Sequence, residues 1–133
     1  MADEIIIPIR SDLDIIQARQ QGRTIAAEVG FNGSDLTVIA TAISELARNI
    51  LKYASVGEII ICPIHQSSRQ GIMVVAKDEG PGIVDISQAL RDGYTTSQGL
   101  GLGLPGTRRL MDEFDIVSVV GKGTTVTVKK WLP

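Results

Sequence analysis

Several residue types are scarce in this sequence, and each shortage excludes a class of protein. The one cysteine, Cys62, excludes a disulfide framework or a cysteine-based metal site and suits a reducing compartment. Aromatic residues form only 4% of the chain and the net charge is −2, so neither base stacking nor a basic surface indicates nucleic acid. Apolar runs stay below the roughly 18 residues of a membrane span, and the N-terminus lacks the basic flank of a signal peptide. We therefore expect a cytoplasmic protein with no nucleic-acid partner and no membrane partner.

Apolar periodicity and β-branched runs indicate one globular domain over residues 1–133. A hydrophobic content of 44% is enough for a core in a chain of 133 residues. The strongest signal lies between residues 34 and 51, where apolar side chains recur at helical three- and four-residue steps. We predict helices at 12–29, 34–51, 84–90 and 105–114, and strands at 5–9, 58–64, 72–77, 116–120 and 124–131. Without the short helix at 84–90, the order of the elements is β-α-α-β-β-α-β-β, which predicts an α+β fold in the form of a two-layer sandwich.

The second predicted helix carries an acid and an amide on one face, Glu45 and Asn49. Residues at i and i+4 are neighbours on a helix surface, with Cβ atoms roughly 5–6 Å apart. A proton acceptor and an amide oxygen able to hold a hard cation are therefore presented together. Small and apolar residues flank the pair, which predicts a covered cleft. Exposed helices also carry such pairs without any function, so the meaning of this one depends on the downstream chain.

A predicted strand runs directly into Asp78-Glu79-Gly80-Pro81-Gly82. A carboxylate at this place can accept a hydrogen bond from an exocyclic amine, and two glycines let a ligand ring approach the backbone. The alternative is an ordinary Asp-Gly turn with no ligand. Residue 65 is the only histidine and stands at a strand end, which favours a structural role and excludes a zinc site.

Glycine alternates with leucine from Gly99 to Leu104, and Pro105 then opens a predicted helix. Glycines before a helix N-terminus present backbone N–H groups and a positive dipole end, an arrangement that holds phosphates. A flexible linker is the alternative, but the leucines favour contact with a core. The dinucleotide-binding spacing of glycines at 101, 103 and 106 is rejected, because no strand leads into it. The hydroxyls of residues 95–97 either bond phosphate oxygens from a closing lid or are simply solvated.

Four short patterns follow one another along the chain: Glu45-x-x-x-Asn49, Asp78-x-Gly80-x-Gly82, Gly99-x-Gly101-x-Gly103 and Gly123-Thr124. Together they resemble the sequence boxes of the GHKL ATP-binding superfamily, which includes gyrase and the histidine kinases. Within it the chain is similar to the small serine/threonine kinases that control bacterial sigma factors. Residues 43–54 and 92–114 and the final Lys130-Trp131-Leu132 are similar to the stressosome switch kinases of that group.

The resemblance implies a Bergerat-type fold, with a mixed, mostly antiparallel sheet and helices on one face. It implies ATP and Mg²⁺ as cofactors and a protein Ser or Thr as the acceptor. The expected partners are STAS-domain scaffold or antagonist proteins of a stressosome and a PP2C-type phosphatase that the released kinase activates. An anti-sigma factor that binds a sigma factor directly is the alternative. A stand-alone ATPase of gyrase or chaperone type is a third hypothesis, but no residues remain for the large extra domains it needs.

The resemblance also implies a role for each matching residue. Glu45 would be the catalytic base that orients or deprotonates the acceptor hydroxyl, where histidine kinases commonly have Asn. Asn49 would be the metal ligand, and Asp78 would bind the adenine amino group. The rest of the implied nucleotide-binding set is Lys52 near phosphate, Gly80, Gly82 and Thr124 around the base, and Thr95, Thr96, Ser97, Gly99, Gly101, Gly103 and Leu104 around the phosphates under a lid from about Ile83 to Gln98.

Overall fold

The computed structural model describes residues 4–83 and 103–133, and its elements follow the predicted order over these ranges. The elements are β1 Ile5–Ile9, α1 Asp12–Val29, α2 Ser34–Tyr53, β2 Gly57–Gln66, β3 Arg69–Asp78, α3 Gly103–Leu110, β4 Glu113–Val119 and β5 Gly123–Trp131. The predicted helix at 84–90 lies outside the described residues. Within the described ranges, no helix is both long enough and apolar enough to cross a membrane.

The five strands form one sheet in the order β1-β2-β3-β5-β4. Every neighbouring pair is antiparallel. The resemblance implies a mixed sheet, whereas the described strands contain no parallel pair. The reason is that β4 and β5 form a hairpin whose second strand returns beside β3, so β3 lies at the centre of the sheet.

The core lies between one face of the sheet and the two long helices. Strand residues that pair across the sheet, such as Ile61 and Val74, alternate with outward-facing ones and are fully buried. On α2, the side chain of Ile43 is fully buried against them, as the helical periodicity predicts. Burying one such side chain contributes about 1.5–3 kcal/mol. Helices α1, α2 and α3 all bury their apolar residues in this one cluster, which confirms the two-layer α+β sandwich.

The boundary between α3 and β4 differs from the prediction. The helix extends from Gly103 to Leu110, whereas the sequence predicts one from Pro105 to Phe114. Phe114 instead pairs with Val128 and packs against the core from β4. The chain leaves the helix because the N–H of Asp112 donates to the carbonyl of Lys129, at 2.9 Å, and starts the sheet ladder. The spacing of Leu110, Met111 and Phe114 also fits a helix, and sheet pairing overrides it.

Strands β2 and β3 are longer than predicted at the turn that joins them. Their pairing continues to Gln66 opposite Arg69, so only two residues, Ser67 and Ser68, form the turn. Ser67 adopts a positive φ of 56°, as a two-residue hairpin turn requires. At its other end, β3 finishes at Asp78, which is therefore the last residue of the central strand of the sheet.

Candidate functional site

Glu45 lies in the middle of α2 and is only 4% exposed, although it is an acid. The side chain of Arg48, one turn along the helix, donates from Nη1 to Glu45 Oε2 at 2.6 Å. Helix α3 packs against α2, and the flanking Ala42 is fully buried, so this side of α2 is covered. The small and apolar residues beside Glu45 predict this cover, and the cleft they also predict stays a prediction. A buried carboxylate with a charge-assisted hydrogen bond has a fixed orientation.

Asn49 lies one turn after Glu45 and is half-buried. Its side chain makes no hydrogen bond to the residues that the structure describes. Lys52 follows at the next helical step and is exposed, with its ammonium 5.3 Å from the centroid of the Tyr53 ring. Glu45, Asn49 and Lys52 therefore line one side of α2, which the sequence predicts for Glu45 and Asn49.

Asp78, the last residue of β3, joins two segments of the chain through one carboxylate oxygen. Its Oδ1 accepts the N–H of Gly80 at 2.9 Å and the N–H of Thr124 at 3.2 Å. The first bond shapes the turn, and the second attaches the end of β3 to the start of β5. The other oxygen, Oδ2, has no hydrogen bond to the described residues. One oxygen is thus structural, and the other remains able to accept a hydrogen bond from a ligand.

Gly80 and Gly82 are explained by packing within the protein. A Cβ atom at Gly80 would lie 2.6 Å from the Cβ of Ala54, at the end of α2. Gly82 has a φ of 82°, and a Cβ there would lie 2.6 Å from the carbonyl oxygen of Val119. The turn therefore fits tightly between α2 and the β4–β5 hairpin. These glycines alone are no evidence of a bound ligand, and the ordinary-turn interpretation accounts for their identity.

Ser118 lies at the candidate site, although no sequence motif indicates it. Its Oγ accepts the N–H of Ile83 at 2.7 Å and lies 2.8 Å from Thr124 Oγ1. It therefore connects the segment after Gly82 with the start of β5, next to Asp78. A signal exists in the sequence, because Ser118 is a polar residue at an inward-facing position of β4, two residues after Ile116. Using that signal requires the correct start of β4.

The predictions for the glycine-rich segment from Gly99 to Leu104 concern residues that the structure describes only in part. Gly103 begins α3, and the partly buried Leu104 packs against the core, as expected for a leucine of this segment. Thr107, one helical turn further, is fully buried. The residues that lie outside the described ranges are Thr95, Thr96, Ser97, Gly99 and Gly101, together with the predicted lid beyond Ile83.

A divalent metal fits Asn49 only as a partly protein-bound ion. The described residues contain no cluster of three or more His, Cys, Asp or Glu side chains that could hold a metal alone. Mg²⁺ commonly takes one or two protein oxygens, several waters and the phosphates of its substrate. The half-buried amide of Asn49, without a side-chain hydrogen bond to the described residues, suits that coordination.

Comparison with known proteins decides the family. The model of the histidine kinase-like ATPase domain matches residues 9–130. The chain belongs to this family. A solved structure of the family's fold, the mycobacterial sensor histidine kinase MprB, superimposes with a TM-score of 0.57 at 14% identity, covering 98% of this chain and 97% of that one. At such low identity this likeness supports the fold alone, and it confirms the predicted GHKL-type architecture.

Two curated relatives of the family extend over most of the chain. The serine/threonine-protein kinase RsbT of Bacillus subtilis is 49% identical over 132 residues, which cover 99% of both chains. The anti-sigma F factor of Halalkalibacterium halodurans is 36% identical over 103 residues, which cover 74% of this chain and 70% of that protein. The likeness to RsbT confirms the prediction of a GHKL-type serine/threonine protein kinase.

Proposed function

We propose that this chain is a Mg²⁺- and ATP-dependent kinase that phosphorylates Ser or Thr on STAS-domain proteins of a stressosome. Once released from them, it binds and activates a PP2C-type phosphatase in a sigma-factor pathway. The proposal includes a single domain over residues 1–133 that acts in the cytoplasm. The observation that carries it is the buried Glu45, which is ion-paired with Arg48 and stands one helical turn from Asn49. The names of both curated relatives support a kinase in such a pathway.

The nucleotide base would bind at the end of β3. Asp78 Oδ2 would accept a hydrogen bond from the adenine amino group, while Oδ1 keeps its two backbone N–H groups. Thr124, which is held beside Asp78 by its own N–H, would assist from the start of β5. Gly80 and Gly82 would contribute the wall between α2 and the β4–β5 hairpin.

The phosphates would lie along α2, towards the N-terminus of α3. Asn49 would hold Mg²⁺, which neutralises phosphate charge and orients the γ-phosphoryl group when it is bound. Lys52 would add a cation on the same side of α2. Gly103 and Leu104 would offer backbone N–H groups at the start of α3. The five residues between Thr95 and Gly101 named above complete the proposed phosphate site.

Glu45 would orient the acceptor hydroxyl for the transfer. The hydroxyl oxygen attacks the γ-phosphorus, the bond to the bridging oxygen of ADP breaks, and the hydroxyl proton leaves towards Glu45. Phosphoryl transfer depends on positioning and charge neutralisation, so one fixed carboxylate is enough. The 2.6 Å contact with Arg48 fixes the rotation of that carboxylate, and its burial keeps competing water away.

The test is phosphotransfer from γ-labelled ATP with Mg²⁺ to a purified STAS-domain protein. We expect Glu45→Gln to lower the transfer rate by about 10²–10⁴-fold, because it removes a positioned proton acceptor. ATP binding should remain, since the base site lies at Asp78. Glu28→Gln, at an exposed position of α1, is the matched control and should transfer normally. Undiminished transfer by Glu45→Gln would disprove its role, and no labelling by the unmodified chain would refute the kinase proposal.

A second candidate is an anti-sigma factor that binds a sigma factor directly. The observation in its favour is the 36% identity to an anti-sigma F factor over 74% of this chain. A pull-down with the immobilised chain distinguishes the two. Retention of a sigma factor favours the second candidate, whereas retention of a STAS-domain protein or a phosphatase favours the first.

A further inference from the structure

We propose that the outer face of the sheet, opposite the helices, is the interface through which two copies of this chain form a dimer. All three described helices bury their apolar residues on the other face, so the described part of the chain leaves this one uncovered. Two sheets that stack face to face lie about 10 Å apart and bury such surfaces between them. The inference goes beyond the proposed function, because neither the nucleotide site nor phosphotransfer requires a second copy.

The outward side chains of β1, β2 and β3 are apolar. Alternation along β2 sends Ile59 and Ile61 into the core and their neighbours outward. A solvated face of an antiparallel sheet normally carries polar residues at the outward positions. Ile6 is 52% exposed and the other outward residues are half-buried. The apolar patch consists of Ile6, Ile60, Cys62, Ile64, Met73 and Val75. A contiguous exposed patch of this kind indicates an interaction surface.

The outward side chains of β5 and β4 are mostly polar. Thr127 and Asp115 lie in the same row across the sheet as the apolar pair of Ile60 and Val75. In the next row, Lys129 Nζ lies 3.9 Å from Glu113 Oε1, so these two charges already have partners within the chain. The apolar patch is therefore centred on β2 and β3, and β4 lies outside it.

Glu58 and Lys77 end the apolar patch on the side of Asp78, and their charges favour a second copy as the partner. They stand opposite each other on β2 and β3, yet neither makes an ion pair with the described residues. A twofold axis parallel to the strands and midway between β2 and β3 places Glu58 of each copy over the partner's Lys77. The face is thus complementary to itself in charge. Because the axis follows the strands, the Asp78 ends of both copies point the same way.

Other positions of the axis are less favourable. An axis along β2 would oppose Glu58 to its own copy, and an axis along β3 would oppose Lys77 to its own copy. Both arrangements place like charges together, which costs free energy. An axis across the strands would set these two charges against the apolar end of the patch at Ile64. The axis between β2 and β3 instead stacks Ile60 of each copy on the partner's Val75.

The outer face is large enough for a weak dimer. The axis superimposes four strands of each copy, β1, β2, β3 and β5. Four strands about 4.8 Å apart and seven residues of about 3.4 Å each give a flat area of roughly 450 Å² per copy. Side chains that stand out from the sheet increase the accessible area above this value. The total therefore reaches the roughly 1,000 Å² that a specific interface needs.

The first experiment measures the mass of the full chain in solution by analytical ultracentrifugation, at concentrations up to about 100 μM, which suits an interface of this size. The unmodified chain should be a dimer. Val75→Asp places a charge in the middle of the apolar patch and should give a monomer. Val117→Asp is the matched control, because Val117 is 56% exposed on the same face but lies on β4, outside the interface. It should remain a dimer, and thermal melting checks that both variants fold.

The second experiment tests the position of the axis by reversing charges. Glu58→Lys and Lys77→Glu should each weaken the dimer about tenfold, because each variant makes both charge contacts repulsive. Mixed in equal amounts, the two variants should form a heterodimer, since every contact between them then joins opposite charges. A change confined to one chain cannot produce this recovery. The charge variants also provide the test if Val75→Asp does not fold.

An unmodified chain that is monomeric at about 100 μM would overturn the inference. A dimer that survives Val75→Asp, or charge variants that do not recover on mixing, would overturn it as well. If the chain is monomeric and Val75→Asp instead abolishes binding of a STAS-domain protein or a phosphatase, the face is a site for that partner and the dimer is refuted. Failure of the kinase proposal is distinguishable, because a dimeric chain that labels no STAS-domain protein refutes the kinase and leaves the dimer standing.

Discussion

Replacing Asp78 by Asn separates the architecture of the proposed base pocket from its recognition of the ligand. Asp78 uses Oδ1 for two backbone N–H groups, while Oδ2 has no hydrogen bond to the described residues. Asn keeps an oxygen for the two backbone groups but presents an amide NH₂ in the other position. The adenine amino group would then face a donor instead of an acceptor. Ala removes both oxygens and leaves the N–H groups of Gly80 and Thr124 without their partner.

The expected magnitudes follow from these contacts. An unpaired backbone N–H costs about 1–3 kcal/mol, and partial exposure of Asp78 allows water to replace some of that loss. We therefore expect Asp78→Ala to lower the free energy of unfolding by about 2–3 kcal/mol, and Tm by roughly 10 °C for a chain of this size. Asp78→Asn should lose only about 1 kcal/mol of stability. Its affinity for ATP should fall about 10–100-fold, because a hydrogen bond to a charged acceptor is replaced by two opposed donors.

The assay combines thermal melting without nucleotide and calorimetric titration with an ATP analogue. Asp115→Asn is the matched control, because Asp115 is exposed on β4 and should change neither measurement. Two results would refute the argument. The first is an Asp78→Asn variant that binds ATP within about twofold of the unmodified chain. The second is an Asp78→Asn variant that loses as much stability as Asp78→Ala, which would mean that the amide oxygen does not replace Oδ1.

Two further predictions concern Arg48 and Cys62. Arg48→Ala should lower kcat for phosphotransfer more than it raises KM for ATP, because Glu45 loses its 2.6 Å partner, and Arg48→Lys should recover part of kcat. A change in KM for ATP alone, measured in the same assay, would contradict a positioning role for Arg48. Burial, and then the nearby charge of Glu4, raise the pKa of the Cys62 thiol. A raised pKa leaves less thiolate at any given pH. Iodoacetamide should therefore alkylate Cys62 more slowly than free cysteine at neutral pH, and the rate should increase as the pH rises. Equal alkylation rates for Cys62 and free cysteine at neutral pH would contradict the raised pKa.

The long-range pattern of the sequence is sufficient to predict the layers of the fold. Helix α2 is predictable because its apolar residues keep a helical period over five turns, and the structure buries them as expected, including Ile43 and Leu46. The hairpin between β4 and β5 is predictable from the glycines around Lys122. The placement of Glu45 on the covered side of α2 follows from the small residues beside it. In each case the information lies within one continuous segment.

What could not be predicted depends on contacts between distant segments. Ser118 matters because β4 pairs with β5 in a register that places it opposite Thr124, and no local pattern specifies that register. The local sequence places Phe114 in a helix, and only its pairing with Val128 shows that it belongs to a strand. Gly80 has a packing reason that becomes visible only when the end of α2 is placed beside it.

The bond between Asp78 and Thr124 has a consequence for the order of folding. It joins residues 46 positions apart, across the pairing of β3 with β5. Closing so long a segment costs entropy before its contacts form, so this pairing is expected late. A growing chain that has completed α2 and β3 already contains Glu45, Asn49 and Asp78, yet it lacks the strand that completes the proposed base pocket. With the nucleotide bound as proposed, a chain still under synthesis should therefore bind no ATP until β5 has been made.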